Sequence, residues 1–183
     1  MNHLFSLEQA LRIRDAYVGL RDDISAFLMA SGEKPAPGSQ AACERAEPGM
    51  SEHMLTVFAQ GSLLLESAAD HCHALTQTLV EPISTMVPWT LVRAGLESAA
   101  LSCWLMSYSI DRRERLSRSL AFQYEGLYQQ LKLANSCGNY ASVDKGKVQI
   151  QSDKVLSNAA ALGYPPVLDK HGGRLGQGSG CLP

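Results

Sequence analysis

The segment from Met86 to Met106 constrains the fold of this chain more than any other. It runs for twenty-one residues, MVPWTLVRAGLESAALSCWLM, and its only charged residues are Arg93 and Glu97. An otherwise apolar helix is normally surrounded by protein, and a buried charge pair needs further polar partners. Because residues four apart share one stripe of a helix, the segment predicts a buried helix that carries one polar site.

The sequence predicts a cytoplasmic protein with no membrane span. Arg93 and Glu97 lie near the middle of the apolar segment, where charge is costly in lipid. The first residues lack the basic start and apolar block of a secretory signal. Five widely spaced cysteines show no metal-ligand spacing, which is typical of free thiols in a reducing compartment.

Composition indicates a globular chain and excludes several classes of function. The 183 residues are 45% hydrophobic and 19% charged, enough for one domain with a sizeable core. The net charge of −2 and the lack of interleaved basic and aromatic residues argue against a nucleic-acid partner. The chain contains no phosphate-binding loop, zinc-protease or nucleophile-elbow motif, and no cofactor is predicted.

Apolar spacing and capping patterns predict five helices. Ser6 with Gln9, and Asp111 with Glu114, have the spacing of capping boxes, and Gly163 suits a helix end. The predicted helices run from Ser6 to about Ala30, over about 51–80, from Ser84 or Thr85 to Met106, from Asp111 to about Asn135, and over about 143–162. Residues 31–50 hold three prolines and three glycines and are predicted to form a surface loop.

The helix predicted over 51–80 carries an apolar seam with alternating spacings of four and three. Its members are Met54, Phe58, Gly61, Leu65, Ala68, Cys72, Leu75 and Leu79. Such a seam packs lengthwise on a neighbour, and its small residues allow close approach. A small stripe of Gly95, Ala99 and Cys103 predicts a tight contact on the next helix. We therefore expect these two helices to form the central pair, crossing at about +20°.

These patterns predict an all-α, antiparallel helical bundle of four main helices plus a shorter fifth. The bundle would be one domain over residues 1–163. The Gly- and Pro-rich tail over 164–183 is predicted to be irregular, or a small hairpin around residues 167–175. Two strands alone are marginally stable, and the sequence offers no further helix or strand for them to pack on. We therefore expect the chain to be a fragment of a longer protein.

A polar stripe beside the seam is the candidate ligand-binding site. The helix predicted over 51–80 contributes four residues to this site, and the apolar segment contributes its two charged residues. The six residues are Glu66, Asp70, His71, His73, Arg93 and Glu97. Asp70 and His73 have the spacing of a carboxylate–histidine pair in helical bundles that bind two metal ions. Such sites use two of these pairs and only one occurs here, so the sequence leaves open whether the site binds a metal. The favoured interpretation is a buried structural network in which Arg93 and Glu97 reach partners on the neighbouring helix.

A cluster of arginines at the start of the fourth predicted helix is a candidate contact for an anion or a protein partner. The cluster consists of Arg112, Arg113, Arg115 and Arg118. Cations at a helix N-terminus oppose the helix dipole, so their placement indicates an acidic partner or a phosphate. The alternative is a solvated face with ion pairs to Asp111, Glu114 and the acidic pair Asp22–Asp23.

The motifs AADHCHALTQTL, PWTLVRAGLESAALSCWLM and DRRERLSRSL, from Ala69 to about Leu120, resemble those of a family of uncharacterised bacterial all-helical proteins. That family combines an Asp-His element, an LVRxxLExxA element, a following Trp and an Arg-rich helix start. The resemblance covers about half of the chain and implies a longer helical protein, but no activity. The chain is also distantly similar to HEPN-type domains, some of which are nucleases. Their Arg-x4–6-His signature does not occur here.

The sequence therefore favours a non-catalytic interaction or structural module that binds a protein partner or a second copy of itself. Such a module should expose a large apolar patch, expected where a further C-terminal part would pack. One alternative is a helical enzyme that binds a metal or small ligand between the second and third predicted helices. A second alternative is part of a HEPN-like nuclease or phage-defence system whose catalytic motif lies outside this chain.

Overall fold

A computed structural model of the protein describes residues 6–31, 34–79, 86–137 and 144–163. Within these ranges the chain forms six α-helices and no strand, which confirms the predicted all-α class. The helices are α1 (Leu7–Ser31), α2 (Gln40–Arg45), α3 (Ser51–Thr78), α4 (Val87–Met106), α5 (Arg112–Cys137) and α6 (Lys145–Ala161).

The chain divides into two compact units, Met1–Ile110 and Asp111–Pro183. The first contains α1 to α4, and the second contains α5 and α6. A single bundle over 1–163 and a crossing angle of about +20° therefore stay predictions. The tail over 164–183, with its predicted hairpin, lies outside the described residues.

Local capping explains where three of the helices begin or end. The backbone N–H of Ser6 donates to Oε1 of Gln9 at 2.9 Å, and the N–H of Gln9 donates to Oγ of Ser6 at 3.2 Å. Oδ1 of Asp111 accepts from the N–H of Glu114 at 2.7 Å. Gly163 follows α6 with a φ of +81°, a conformation that favours glycine. These bonds pair backbone groups that the end of a helix leaves without an intrahelical partner. The Ser6–Gln9 capping box is confirmed by both of its bonds, whereas at Asp111 the bond from the Glu114 N–H is confirmed and Oε1 of Glu114 accepts from Arg118.

Helix α2 corrects the prediction that residues 31–50 form only a loop. Oγ of Ser39 accepts from the N–H of Ala42 at 3.2 Å, and Nε2 of Gln40 donates to Oε1 of Glu44 at 2.8 Å. Gln40 also donates to the backbone carbonyl of Ile110 at 3.3 Å. The helix has six residues. An element of that length is too short to show apolar periodicity, so spacing along the sequence did not reveal it.

Helix α3 is the centre of the first unit, where it packs on α4, α1 and α2. Six members of the predicted seam are buried: Met54, Gly61, Ala68, Cys72, Leu75 and Leu79. Phe58 and Leu65 are half-buried. Val57, Ala69 and Thr76 are buried as well. The buried surface is wider than one seam because more than one helix covers α3.

Small residues bring the backbones of α3 and α4 close together. Oγ of Ser102 donates to the carbonyl of Gly61 at 2.9 Å in a buried hydrogen bond. A Cβ added at Gly95 would lie 3.4 Å from Cβ of His71, and one added at Gly61 would meet the side chain of Met106. The two helices therefore approach each other where side chains are small or absent.

The contacting stripe on α4 differs from the predicted one. It runs through Gly95, Ser98 and Ser102, and Oγ of Ser98 lies 3.4 Å from Oγ of Ser67. Cys103 is exposed, so its predicted place in the tight contact is wrong. The spacing of three and then four follows one side of a helix, whereas repeated steps of four drift away from it.

In the second unit, α5 packs against α6. Apolar spacing predicts an inner face of α5 formed by Leu116, Leu120, Leu127, Leu131 and Ala134, helped by Tyr124 and Tyr128. Leu116, Leu120, Tyr124 and Ala134 are buried, whereas Leu127, Tyr128 and Leu131 are half-buried. The buried residues of α6 are Val148, Ser152, Val155 and Ala159, at spacings of four and three.

We expect Gly61→Ala and Gly19→Ala to affect stability differently, although both replace a glycine inside a helix. A Cβ at Gly19 meets no atom within 4 Å. That substitution should raise the free energy of unfolding by about 0.5–1 kcal/mol. At Gly61 the same gain should be offset by crowding of Met106, at a cost of about 1–3 kcal/mol. Urea unfolding measures the free energy of unfolding of both variants. In the Gly61→Ala background, Met106→Ala should remove the crowding and with it the difference between the two positions. Equal gains at the two positions would contradict a tight contact.

Candidate functional site

The most distinctive surface of the first unit is a mixed apolar and charged stripe along α4. Met86 is 74% exposed, Trp89 57% and Leu96 65%. We define the outer α4 face by six residues that share this side of the helix: Met86, Trp89, Arg93, Leu96, Glu97 and Ala100. All six are exposed. Large apolar side chains and one ion pair thus lie together in water.

This arrangement corrects the expectation that protein surrounds the apolar helix. The side chains of Arg93 and Glu97 are 81% and 60% exposed. When apolar residues occur on all sides of a helix, composition alone does not determine which side is buried. Close approach to α3 selects the side with Gly95 and Ser102, so larger residues on the opposite side remain exposed.

The ion pair lies within α4 and does not reach the neighbouring helix as expected. Nε of Arg93 donates to Oε1 of Glu97 at 2.7 Å. That hydrogen bond and the negative charge of Glu97 raise the pKa of Arg93. Solvent-exposed ion pairs contribute little to folding stability. The contribution of this ion pair to the stability of α4 is therefore too small to explain the presence of two charges at this position.

The polar residues on α3 do not converge with the pair on α4. Glu66, Asp70 and His73 are exposed, and His71 is half-buried beside Gly95. Nδ1 of His73 lies 3.2 Å from Nη1 of Arg21 on α1, a contact that spacing along the sequence did not reveal. Across the described ranges, no three His, Cys, Asp or Glu side chains are grouped as metal ligands would be. The metal alternative therefore receives no support from this geometry.

The arginine cluster on α5 is partly built into the protein. Arg115 is only 1% exposed, and Nε of Arg118 donates to Oε1 of Glu114 at 2.9 Å. Each of the four arginines has an interaction partner. The expected ion pair with Glu114 is thus confirmed for Arg118, and a role of the cluster in binding an anion stays a prediction.

A cleft of about 510 Å³ lies between α5 and α6 in the second unit. Its lining residues are Tyr124, Tyr128, Leu131, Lys132, Asn135, Ser136, Gln149 and Ser152. The volume is within the range of small-ligand sites, about 300–1,000 Å³. Sequence reasoning placed the two tyrosines on an inner helix face but gave no signal for a cleft.

In comparisons with known proteins, no family model, curated protein or solved structure matches this chain. The resemblance to uncharacterised bacterial helical proteins therefore rests on the motifs alone. Among the helices of the described ranges, none has the length and apolar character needed to cross a membrane.

The cysteines of the first unit should differ in reactivity. Cys72 is buried in the α3 seam, and desolvation raises the pKa of its thiol, whereas Cys103 is exposed on α4. A raised pKa lowers the fraction of reactive thiolate at neutral pH. We expect iodoacetamide to modify Cys103 rapidly and Cys72 only after unfolding, as measured by peptide mass spectrometry. Similar rates for both thiols in the folded protein would contradict this packing of α3.

Proposed function

We propose that this chain is a non-catalytic protein-interaction module and that the outer α4 face is its binding surface. The observation that carries the proposal is the exposure of Met86, Trp89 and Leu96 on one side of a helix. Contiguous exposed apolar surface on a folded protein commonly marks an interaction site. The predicted exposed patch is thus proposed to lie on α4.

The chemistry of this face suits protein recognition. Burial of apolar surface provides about 25 cal/mol per Å² of area removed from water. Trp and Arg are among the residue types enriched at the hot spots of protein interfaces, and Trp89 and Arg93 lie one helical turn apart here. A helix that presents such residues along one side can pack on a helix or in a groove of its partner.

The cytoplasm is the proposed location. Cys43 and Cys103 are free thiols at exposed positions. Such thiols persist in reducing compartments, whereas oxidising compartments convert many of them to disulfides. The exposed thiols of Cys43 and Cys103 therefore suit a reducing compartment.

Thiol labelling of a Leu96→Cys variant tests whether the outer α4 face is open. In nanomolar protein, iodoacetamide should modify the introduced thiol at least tenfold faster than the buried Cys72, at a rate close to that of the exposed Cys103. The two native thiols provide internal references in the same sample. The substitution is at an exposed position, so the fold should be retained, and circular dichroism verifies this.

Slow labelling of the introduced thiol in dilute, folded protein would overturn the proposal. It would mean that another part of the same chain covers the outer α4 face. The face would then contribute to folding and would not be available to a partner.

A further inference from the structure

We propose that the outer α4 face binds a second copy of this chain, antiparallel to the first, with Arg93 of each copy paired to Glu97 of the other. This inference rests on the proposed function, because it requires the face to be open. The positions of Arg93 and Glu97, the hydrogen-bonding atoms that their own pairing leaves unused, and the apolar residues around them all favour this partner.

The two charges have the symmetry that a two-fold pairing requires. Arg93 and Glu97 lie two residues before and two residues after Gly95. Each is therefore about 3 Å from the level of Gly95 along the helix axis. A two-fold axis perpendicular to α4 at that level places Arg93 opposite Glu97 of the second copy, and Glu97 opposite its Arg93. The face is thus complementary in charge to itself.

The pair also retains hydrogen-bonding capacity for a second pairing. The bond within α4 uses only Nε of Arg93 and Oε1 of Glu97. Among the described residues, the two Nη groups of Arg93 and Oε2 of Glu97 make no hydrogen bond. A guanidinium has five N–H donors, and a carboxylate accepts about four hydrogen bonds. Two copies can therefore form a four-charge network, in which the attraction between opposite charges is stronger than in an isolated exposed pair because the apolar residues beside it reduce screening by water.

The same symmetry aligns apolar side chains. Trp89 and Ala100, both exposed on the outer α4 face, lie six residues before and five residues after Gly95. Along the helix axis, Trp89 of each copy therefore comes within about 1.5 Å of the level of Ala100 of the other copy, and the two Leu96 side chains meet near the two-fold axis. Apolar contacts thus flank the charge network at both ends. A face in which one cation and one anion are surrounded by apolar groups suits an identical partner, because each charge finds its opposite.

The extent of the face predicts a weak and reversible dimer. Helix α4 has 20 residues and is about 30 Å long. One helix per copy gives an interface near the lower limit for specific complexes, about 1,200 Å² in total. Closed two-fold dimers are also the commonest form of self-association. We therefore expect an equilibrium between monomer and dimer that shifts with protein concentration.

Charge reversal tests the register of the pairing. Arg93→Glu places two anions on each copy, and Glu97→Arg places two cations, so each variant should repel itself. We expect each single variant to self-associate at least tenfold more weakly than the native chain in analytical ultracentrifugation. An equimolar mixture of the two variants should recover the native association, because opposite charges face each other again across the axis. Loss of an ion pair within one helix cannot be repaired by mixing two chains.

A matched control is available on α1. Arg12 and Glu8 form an exposed ion pair four residues apart, at 2.7 Å. Arg12→Glu changes the net charge of the chain by the same amount as Arg93→Glu. It should leave self-association unchanged, because the pair lies outside the outer α4 face. An equal loss of association in both variants would overturn the proposed interface.

Disulfide formation distinguishes antiparallel from parallel pairing. In the proposed dimer, the two copies of position 96 are offset by about 3 Å along the axis, and the two Cys103 residues by about 24 Å. Disulfides need Cα atoms about 4.4–6.8 Å apart. Mild oxidation of Leu96→Cys should link the introduced thiols of two copies and leave Cys103 unlinked. A Cys103–Cys103 link would instead indicate parallel helices and overturn the register.

The outcomes separate this inference from the proposed function. If position 96 labels rapidly at every concentration and the native chain stays monomeric, the second copy is excluded and the face belongs to a different protein partner. Both proposals are supported by two results together. Position 96 labels rapidly in dilute protein and more slowly as the protein concentration rises, and the mixture of charge-reversal variants recovers the native self-association. Slow labelling at every concentration with no self-association overturns both.

Discussion

The close approach of the α3 and α4 backbones is the contact on which the first unit depends. The carbonyl of Gly61 accepts a buried hydrogen bond from Ser102, and Gly95 lies against His71. Larger side chains at these positions would separate the helices and weaken the contacts along their length. Helix α3 also packs on α1 and α2, so the position of α4 is set relative to the centre of the unit.

This contact has a direct consequence for the opposite side of α4. Because small residues occupy the inner side, Trp89 and Leu96 are exposed together with Arg93 and Glu97. An exposed apolar residue is common on protein surfaces, whereas several on one stripe around an ion pair form a chemically distinctive patch. The packing that holds the unit together therefore also creates the surface proposed to bind a partner.

The candidate polar cluster shows what helical spacing can and cannot establish. Spacing correctly groups Glu66, Asp70 and His73 on one side of α3, and all three are exposed. It does not establish which neighbouring helix faces that side. His73 contacts Arg21 of α1, while Glu97 pairs with Arg93 on its own helix. Contacts between helices depend on how the helices are rotated, and spacing within one helix carries no such information.

Much of the helical architecture could be predicted from the sequence because it depends on local physics. Ser6, Asp111 and Gly163 mark helix ends through bonds and backbone angles formed within a few residues. The α3 seam is also readable, since burial repeats with the helical period. The exposed side of α4 was decided only by tertiary structure. Its apolar residues surround the helix, so the side that becomes buried depends on where Gly95 and Ser102 meet α3.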